Sequence, residues 1–344
     1  MRDKHPLLTI AIPTYNRSSY LAHLLGILAP QLTDTPNVEL IISDNASPDD
    51  TSAVIKNFQK TGLQVTYIRN ETNIGPDANF LQCFEKSNGK YVWIFGDDDV
   101  IVPGAIDKIL RLICGHEYDL IYVRPYGFNT DFQEERRRDR FGRTAMVITD
   151  ARLFAAMVGV MFTFMSAVIV NKARLMESVH QPISQLLGTN LIQFGWILPL
   201  LVSYKCGLVV FDGLVGGRIA NSGGYDICKV FGHNLRQIVL NLLSSRPDLA
   251  TLIINNTLRV WFPETLLQLR QNIAGNFATN DFHRMLMPLY WKNYRYWLFV
   301  FPIIQAPLWL AEACFYLQGK LLLRTEVAFQ AIYQLLFMRK NYIY

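Results

Sequence analysis

Three consecutive carboxylates, Asp97, Asp98 and Asp99, follow directly on a short apolar run, Tyr91–Phe95, and one glycine, Gly96. A run of that kind is the mark of a buried strand. Adjacent acids at its end repel one another strongly unless a cation lies between them. A hard divalent ion such as Mg²⁺ or Mn²⁺ takes carboxylate oxygens and keeps positions open for substrate phosphates, so the stretch points to metal-assisted chemistry on a phosphorylated substrate. The plainer alternative is a solvated acidic turn capping the helix that opens near Pro103 and carries Ile106, Ile109, Leu110 and Ile113.

The elements that must position these acids can be read in order. Leu7–Ile12 reads as a strand ending in Pro13-Thr14-Tyr15-Asn16-Arg17, after which Leu21, Leu24, Leu25 and Leu28 recur at helical spacing. Val38–Ser43 reads as a second strand, ending in Asp44-Asn45-Ala46-Ser47, and a capped helix carrying Val54, Ile55 and Phe58 follows. Val65–Arg69 is a third strand, followed by a polar stretch containing Asn73 and Gly75 and a helix through Phe80, Leu81 and Phe84. This alternation predicts an α/β fold with a mainly parallel sheet flanked by helices. Ligands of such sheets bind beyond the carboxyl ends of the strands, so Tyr15, Arg17, Asp44, Asn73 and the three aspartates should converge on one crevice. Neither G-x-G-x-x-G nor G-x-x-x-x-G-K occurs, which disfavours a standard dinucleotide fold or a P-loop.

With 344 residues, 51% hydrophobic and 18% charged, the chain can bury a substantial core as one large domain or two ordinary ones. A net charge of +5 is too mild to imply a nucleic-acid partner. Five cysteines with no C-x-x-C spacing suit a reducing cytosol, and the opening M-R-D-K-H-P leads so soon into a strand that no signal peptide is expected.

Taken together, I-P-T-Y-N-R (12–17), S-D-N-A-S (43–47), N-I-G-P-D-A-N (73–79) and W-I-F-G-D-D-D (93–99) resemble glycosyltransferase family 2, of the GT-A fold, over roughly residues 6 to 125. Within that family the chain is most similar to the bacterial O-antigen abequosyltransferases, and a weaker similarity runs on through Val158–Arg174 and Leu187-Gly188-Thr189. The resemblance implies transfer of a sugar, such as a deoxyhexose, from a nucleotide diphosphate-sugar to a lipid-linked saccharide, with inversion and with a divalent metal, Mg²⁺ or Mn²⁺. It implies that Pro13, Thr14, Tyr15 and Arg17 border the nucleotide, with Tyr15 near the base. Asp44 would reach the base or ribose, and Asn73 and Gly75 would line the floor beside the diphosphate. The family's acidic motif, D-x-D-D with a proline four residues on, places Gly96 at the first acid, Asp97 at the variable position and Asp98 and Asp99 at the last pair. Asp98 and Asp99 are then the metal ligands, Asp98 the more direct, and Asp97 stands in for the first acid.

In many relatives the general base lies in a Glu-Asp pair opening a helix later in the domain. The equivalent stretch here, Ser184–Leu201, contains no acid, although Asn190 and Gln193 could orient an acceptor. Glu177, His180, Asp212 and Asp226 are the nearest titratable residues, with Asp212 and Asp226 kept as candidates, and His233 is a candidate third metal ligand. The arginine-rich stretch containing Arg136, Arg137, Arg138, Arg140 and Arg143 reads as a solvated loop, or as a contact for an anionic lipid or acceptor pyrophosphate.

From about Asp226 the pattern turns helical, giving an expected catalytic domain over 1–225 and a helical region over 226–344. Tyr296–Ala311 is free of charge but interrupted by Pro302, Gln305 and Pro307, which suits an in-plane or buried segment better than a span of about 20 apolar residues. The expected setting is cytoplasmic, peripheral on the inner face of the bacterial cytoplasmic membrane. Two rival readings are a nucleotidyltransferase of related fold, which would carry a glycine-rich, basic N-terminal loop, and a non-catalytic binder of nucleotide sugars.

Overall fold

The computed structural model describes residues 5–137, 139, 142–178, 181–219, 224–273 and 281–320, and the backbone of 342–343. The chain forms two compact units, Met1–Phe154 with Met161–Ile219, and Ala155–Val160 with Ala220–Tyr344. Sequence patterning places the division after residue 225; contacts divide the chain a few residues earlier and assign one short internal piece to the second unit.

The first unit opens with β1 (Leu8–Thr14), α1 (Ser18–Leu32), β2 (Val38–Asp44), α2 (Thr51–Lys60), β3 (Thr66–Arg69), α3 (Pro76–Lys86) and β4 (Tyr91–Ile94). It continues with β5 (Val100–Ile101), α4 (Ala105–Ile113), β6 (Leu120–Val123), β7 (Tyr126–Phe128), β8 (Ala145–Ile148), α5 (Ala151–Val158, crossing into the second unit), β9 (Val168–Asn171), α6 (Lys172–Ser178), α7 (Phe194–Val202), β10 (Gly207–Val210) and β11 (Val215–Arg218). The main sheet runs β8-β10-β6-β9-β4-β1-β2-β3. Every residue of β1 is buried, as expected of a strand covered on both faces and flanked by parallel neighbours.

Register places the site. β1 pairs in parallel with β2 up to Thr14↔Asp44 and with β4 up to Ala11↔Ile94. Phe95 then donates its amide to the Ala11 carbonyl at 2.9 Å, so the chain leaves β4 at Gly96 beside the end of β1. Beneath this edge, Leu21, Leu24, Leu25 and Leu28 of α1 pack on Ile10 and Ile12 in one continuous core. Beyond β4 the sheet becomes mixed: β9 lies antiparallel between β4 and β6. A small second sheet, β5-β11-β7, carries the chain from the aspartates past Arg218.

The second unit is helical: α8 (Leu235–Leu242), α9 (Pro247–Asn256), α10 (Phe262–Arg270), α11 (Phe282–Tyr290), α12 (Phe301–Gln305) and a helical stretch over 308–320. Widened π turns at Thr257–Trp261 and Tyr296–Val300 lead straight into α10 and α12. Each stands just before a proline in the next helix, Pro263 or Pro302. Proline has no amide to give the carbonyl one turn back, so the preceding turn opens to re-pair its carbonyls. The run from Ile253 to Leu269 is therefore helical throughout but not regular α-helix. The uncharged run Tyr296–Ala311 breaks at Ala306, which is extended, and among the described residues no helix is long and apolar enough to cross a membrane.

Candidate functional site

Two loops meet at the carboxyl ends of β1 and β4. Thr14, the last residue of β1, donates its hydroxyl to Asp97 Oδ2 at 2.7 Å. The Arg17 guanidinium, at the start of α1, bridges Asp97 Oδ1 at 3.1 Å and Asp98 Oδ2 at 3.0 Å. Ser166 holds the third acid by donating to Asp99 Oδ2 at 2.5 Å while accepting the Gly96 amide at 2.9 Å. From β11, the Arg218 amide donates to Asp99 Oδ1 at 3.1 Å and its Nε to the Asp98 carbonyl at 3.3 Å. The Arg218 guanidinium also lies over the rings of Tyr20 and Phe128, which fixes its course.

The three acids are not equivalent. Asp97 and Asp99 are buried, whereas the Asp98 side chain is 17% exposed. Burial pushes the Asp97 carboxyl up to about 6, against the pull of Arg17. Burial, with the charge of Asp98 beside it, pushes Asp99 up to about 7. Burial is the larger cause at both positions and the mutual repulsion of the acids adds to it, a cost that a hard divalent cation would relieve. Among the described residues no three His, Cys, Asp or Glu side chains form a ready-made metal centre. The donor set therefore fits an ion held by one or two carboxylates and completed by phosphate oxygens, the usual manner for Mg²⁺.

The structure also explains Gly96. A Cβ there would stand 2.9 Å from Asp99 Oδ2, 3.1 Å from Asp98 Oδ1 and 3.3 Å from Ser166 Oγ. An acid at this position, as in the family's commoner motif, has no room unless the next two acids move. Asp97 is turned to Thr14 and Arg17 instead.

The wall after β2 is a network of amides and hydroxyls. Asn45 Oδ1 accepts the Ile74 amide at 2.9 Å, and its Nδ2 donates to Asn73 Oδ1 at 2.8 Å. Asn73 Oδ1 in turn accepts the Gly75 amide at 2.9 Å, closing a turn in which Gly75 has φ 84° and precedes Pro76 at the start of α3. Behind it, Ser43 donates to Asn79 and accepts from Gln82. Asn45, Asn79, Gln82 and Ser166 were not singled out from sequence as site residues, although three of them lie in or beside the motifs. Their polar atoms face other loops, and no local spacing reveals that.

Among the predicted site residues, Pro13, Thr14, Arg17, Asp97, Asp98 and Asp99 come together at the ends of β1 and β4. Asn73 and Gly75 form the turn beside Asn45. Tyr15 is 43% exposed at the rim. Asp44 is fully buried: it accepts from Tyr67 at 2.7 Å and from the Ser47 amide at 2.8 Å, and Arg69 Nε lies 3.7 Å away.

The candidates for the base are distributed otherwise. Asp212 is ion-paired with Lys108, and its carbonyl accepts from Arg136. Asp226, in the second unit, accepts the Lys229 amide at a helix start. His233 is exposed beside Asn234 in the same unit. His180, Arg138 and Arg140 lie outside the described residues. The arginine-rich stretch is not simply a solvated loop: Arg136 binds the Gly213 carbonyl, and Arg143 pairs with Asp139 and lies 4.2 Å from the Phe211 ring.

Asp77, from another part of the chain, supports the turn before α7. It is buried in the first turn of α3, and its Oδ2 accepts the Asn190 amide at 2.9 Å while its Oδ1 has no hydrogen-bond partner. Burial raises its carboxyl above the usual value, with the amides of the 188–192 loop working against that rise. Asn190 has a left-handed backbone, φ 58°, and so is presented in a turn held from below by Asp77. Gln193 is turned inward to the Thr163 carbonyl.

A sheet of this order, with an acid cluster beyond β4 and a mixed far half, defines the GT-A class of transferases. The structure of Staphylococcus aureus TarS 1-349 in complex with UDP-GlcNAc superposes with a TM-score of 0.59 at 18% identity, over 90% of this chain and 88% of that one. A mannosyltransferase from Pyrobaculum calidifontis, in complex with GDP-Man and Mn²⁺, gives 0.50 at 14% identity, over 90% of this chain and 87% of that one. At those identities the likeness is one of fold. Residues 9–175 match the family model Glycosyl transferase family 2. The abequosyltransferase RfbV of Salmonella typhimurium is 32% identical over 183 residues, 49% of this chain and 54% of the relative. A Campylobacter jejuni GalNAc(5)-diNAcBac-PP-undecaprenol beta-1,3-glucosyltransferase is 31% identical over 107 residues, 31% of this chain and 34% of the relative. The matches thus span about half or less of these curated relatives.

Proposed function

We propose that the protein transfers a sugar, such as a deoxyhexose, from a nucleotide diphosphate-sugar to a lipid-linked saccharide during synthesis of an O-antigen or other surface polysaccharide. The observation that carries this reading is the acid cluster at the end of β4, bracketed by Arg17 and Arg218. Asp98 and Asp99 would hold a divalent ion, Mg²⁺ or Mn²⁺, whose chemistry is Lewis-acid relief of the charge gathering on the departing nucleoside diphosphate. Tyr15 offers an exposed ring to the base, Pro13 and Thr14 would border the nucleotide, and the Asn73–Gly75 turn would lie beside the diphosphate. Asn190, steadied by Asp77, would orient the acceptor hydroxyl for attack opposite the diphosphate, which inverts the anomeric carbon. The place of action is the inner face of the bacterial cytoplasmic membrane, where a soluble donor meets a lipid-linked acceptor.

Calorimetric titration with UDP, CDP, GDP and dTDP, each with and without Mn²⁺, tests the reading. One diphosphate should bind best, and only with metal. No binding by any of the four to the folded protein would end it. The absence of an acid from Ser184–Leu201 favours a second reading, a non-catalytic binder of nucleotide sugars. Metal-dependent binding with no transfer to any lipid-linked saccharide would select that alternative.

A further inference from the structure

Among the described residues, the second unit carries an exposed aromatic face. In the helical stretch 308–320, Ala311 is fully buried and Phe315 and Gln318 are partly so, while Leu308, Trp309, Leu310, Glu312, Ala313, Tyr316, Leu317 and Lys320 are exposed. Of these, Trp309, Glu312, Ala313, Tyr316, Leu317 and Lys320 follow the i, i+3, i+4, i+7 spacing of one helix face. Trp309 is 69%, Tyr316 62% and Leu317 64% exposed, an unusual display for side chains of this size.

A segment packed on the inner side of this helical stretch carries further exposed rings. Gln318 donates to the carbonyls of Leu298 and Phe299, and Leu298 is exposed. Trp297 donates its indole N–H to the Trp291 carbonyl at 2.8 Å, and both rings are exposed. Basic groups stand among these rings: Lys292 lies 5.1 Å from the Trp291 ring, Arg295 4.4 Å from Tyr294 and Lys320 4.4 Å from Tyr316. Glu312, the acid of the helical stretch, is turned to Gln271.

We infer that this face is a docking surface for an anionic lipid bilayer, with 308–320 lying in the interfacial plane. Trp and Tyr, having an apolar body and a polar edge, favour the headgroup level, and Lys and Arg beside them favour anionic lipid. An interface between protein chains is depleted in lysine at its core, where this face carries Lys292 and Lys320 among the rings. An in-plane mode also agrees with the absence, among the described residues, of a helix able to cross a bilayer. The inference deepens the proposed function, since it states how a chain acting on a lipid-linked acceptor would reach it.

The test is co-sedimentation of the full chain with phosphatidylcholine vesicles and with vesicles containing about one third phosphatidylglycerol. The chain should bind the anionic vesicles at least tenfold more tightly, and less so in high salt. The triple variant Trp309→Glu/Tyr316→Glu/Leu317→Glu should lose binding by tenfold or more with unchanged circular dichroism, whereas Met176→Glu, an exposed apolar position in the first unit, should bind as before. Equal binding by the triple variant would overturn the proposal, as would equal affinity for the two vesicle types. A self-associating chain that becomes monomeric on triple substitution, without binding vesicles, would assign the face to a second copy instead. Nucleoside diphosphate binding measured on the same preparations separates the two readings. Vesicle binding without nucleotide binding retires the transferase and keeps the surface, and the reverse retires the surface alone.

Discussion

The loops after β1, β2 and β4 and the stretch Ser184–Leu201 are parts of one unit built on opposite principles. The first set is dense in side chains used for their polar atoms: Thr14, Arg17, Asn45, Asn73 and the three aspartates form a closed hydrogen-bonded frame. The second is apolar, and α7 is buried on nearly every side, with Trp196 stacked 4.7 Å from Phe84. Its polar order is borrowed: Asp77, some hundred residues earlier in the chain, holds the Asn190 turn. A site that must recognise a nucleotide diphosphate keeps its own chemistry close to the strand ends. The stretch proposed to meet the acceptor is shaped by packing, with polar support brought from elsewhere.

The largest expected effect tests the first half. Asp98→Asn should lower kcat by about a thousandfold, the several kcal/mol by which a bound metal favours the transition state, with circular dichroism unchanged. Near-normal turnover with Mn²⁺ would detach the acid cluster from the chemistry. Next comes the borrowed support. Asp77→Ala leaves the Asn190 amide without its acceptor, and a loss of roughly 1–3 kcal/mol in urea unfolding is expected, with a poorer KM for acceptor and an unchanged Kd for nucleotide. If nucleotide binding falls instead, the two regions are not separable.

Tyr15→Ala should weaken nucleoside diphosphate binding by about 1–2 kcal/mol, roughly 5- to 30-fold, since an exposed aromatic ring contributes by stacking on a base. An unchanged dissociation constant would take Tyr15 out of the site.

The smallest effect concerns pH. Burial holds the Asp77 carboxyl above its ordinary value of 3.8, so its stabilising contribution is fully present below that value and is lost as pH rises through the raised one. Asp77→Asn stays neutral throughout. Its stability relative to the parent should therefore rise as the pH is raised from below 3.8 towards neutrality. A relative fall over that window would mean that the ionised carboxylate is what holds the 188–192 turn.

Much of the first half was legible in sequence because its signals are local. β1 to β4, with the helices between them, each announce themselves by an apolar run and a polar loop, and parallel alternation sends every loop to the same edge. The Pro13-to-Arg17 and Asp97-to-Asp99 segments could be matched by residue type alone. The second half left a fainter trace, a similarity over Val158–Arg174 that covers Ser166 and β9 without revealing their partners. β9 enters antiparallel between β4 and β6, and this insertion brings Ser166 onto Asp99 and Gly96. β11, reached long after the aspartates, returns Arg218 to them through a sheet of three short strands. Asp212, a base candidate from its place in sequence, is held by Lys108 of α4, a pairing visible only once the helix is packed.

By itself, the sequence determined the alternating α/β order, the family likeness, the acid cluster, the helical character of the last third and its uncharged run Tyr296–Ala311. Those properties follow from side-chain type and short spacing, which act within one or two turns or one strand. Tertiary structure alone decided which carboxylates are buried, which hydrogen bonds bind Asp44 and Asp97 inward, why Gly96 must lack a side chain, and which rings of the last third remain exposed. The reason is that burial, charge balance and steric room belong to neighbours distant in sequence, and those are settled only when the sheet has taken its order.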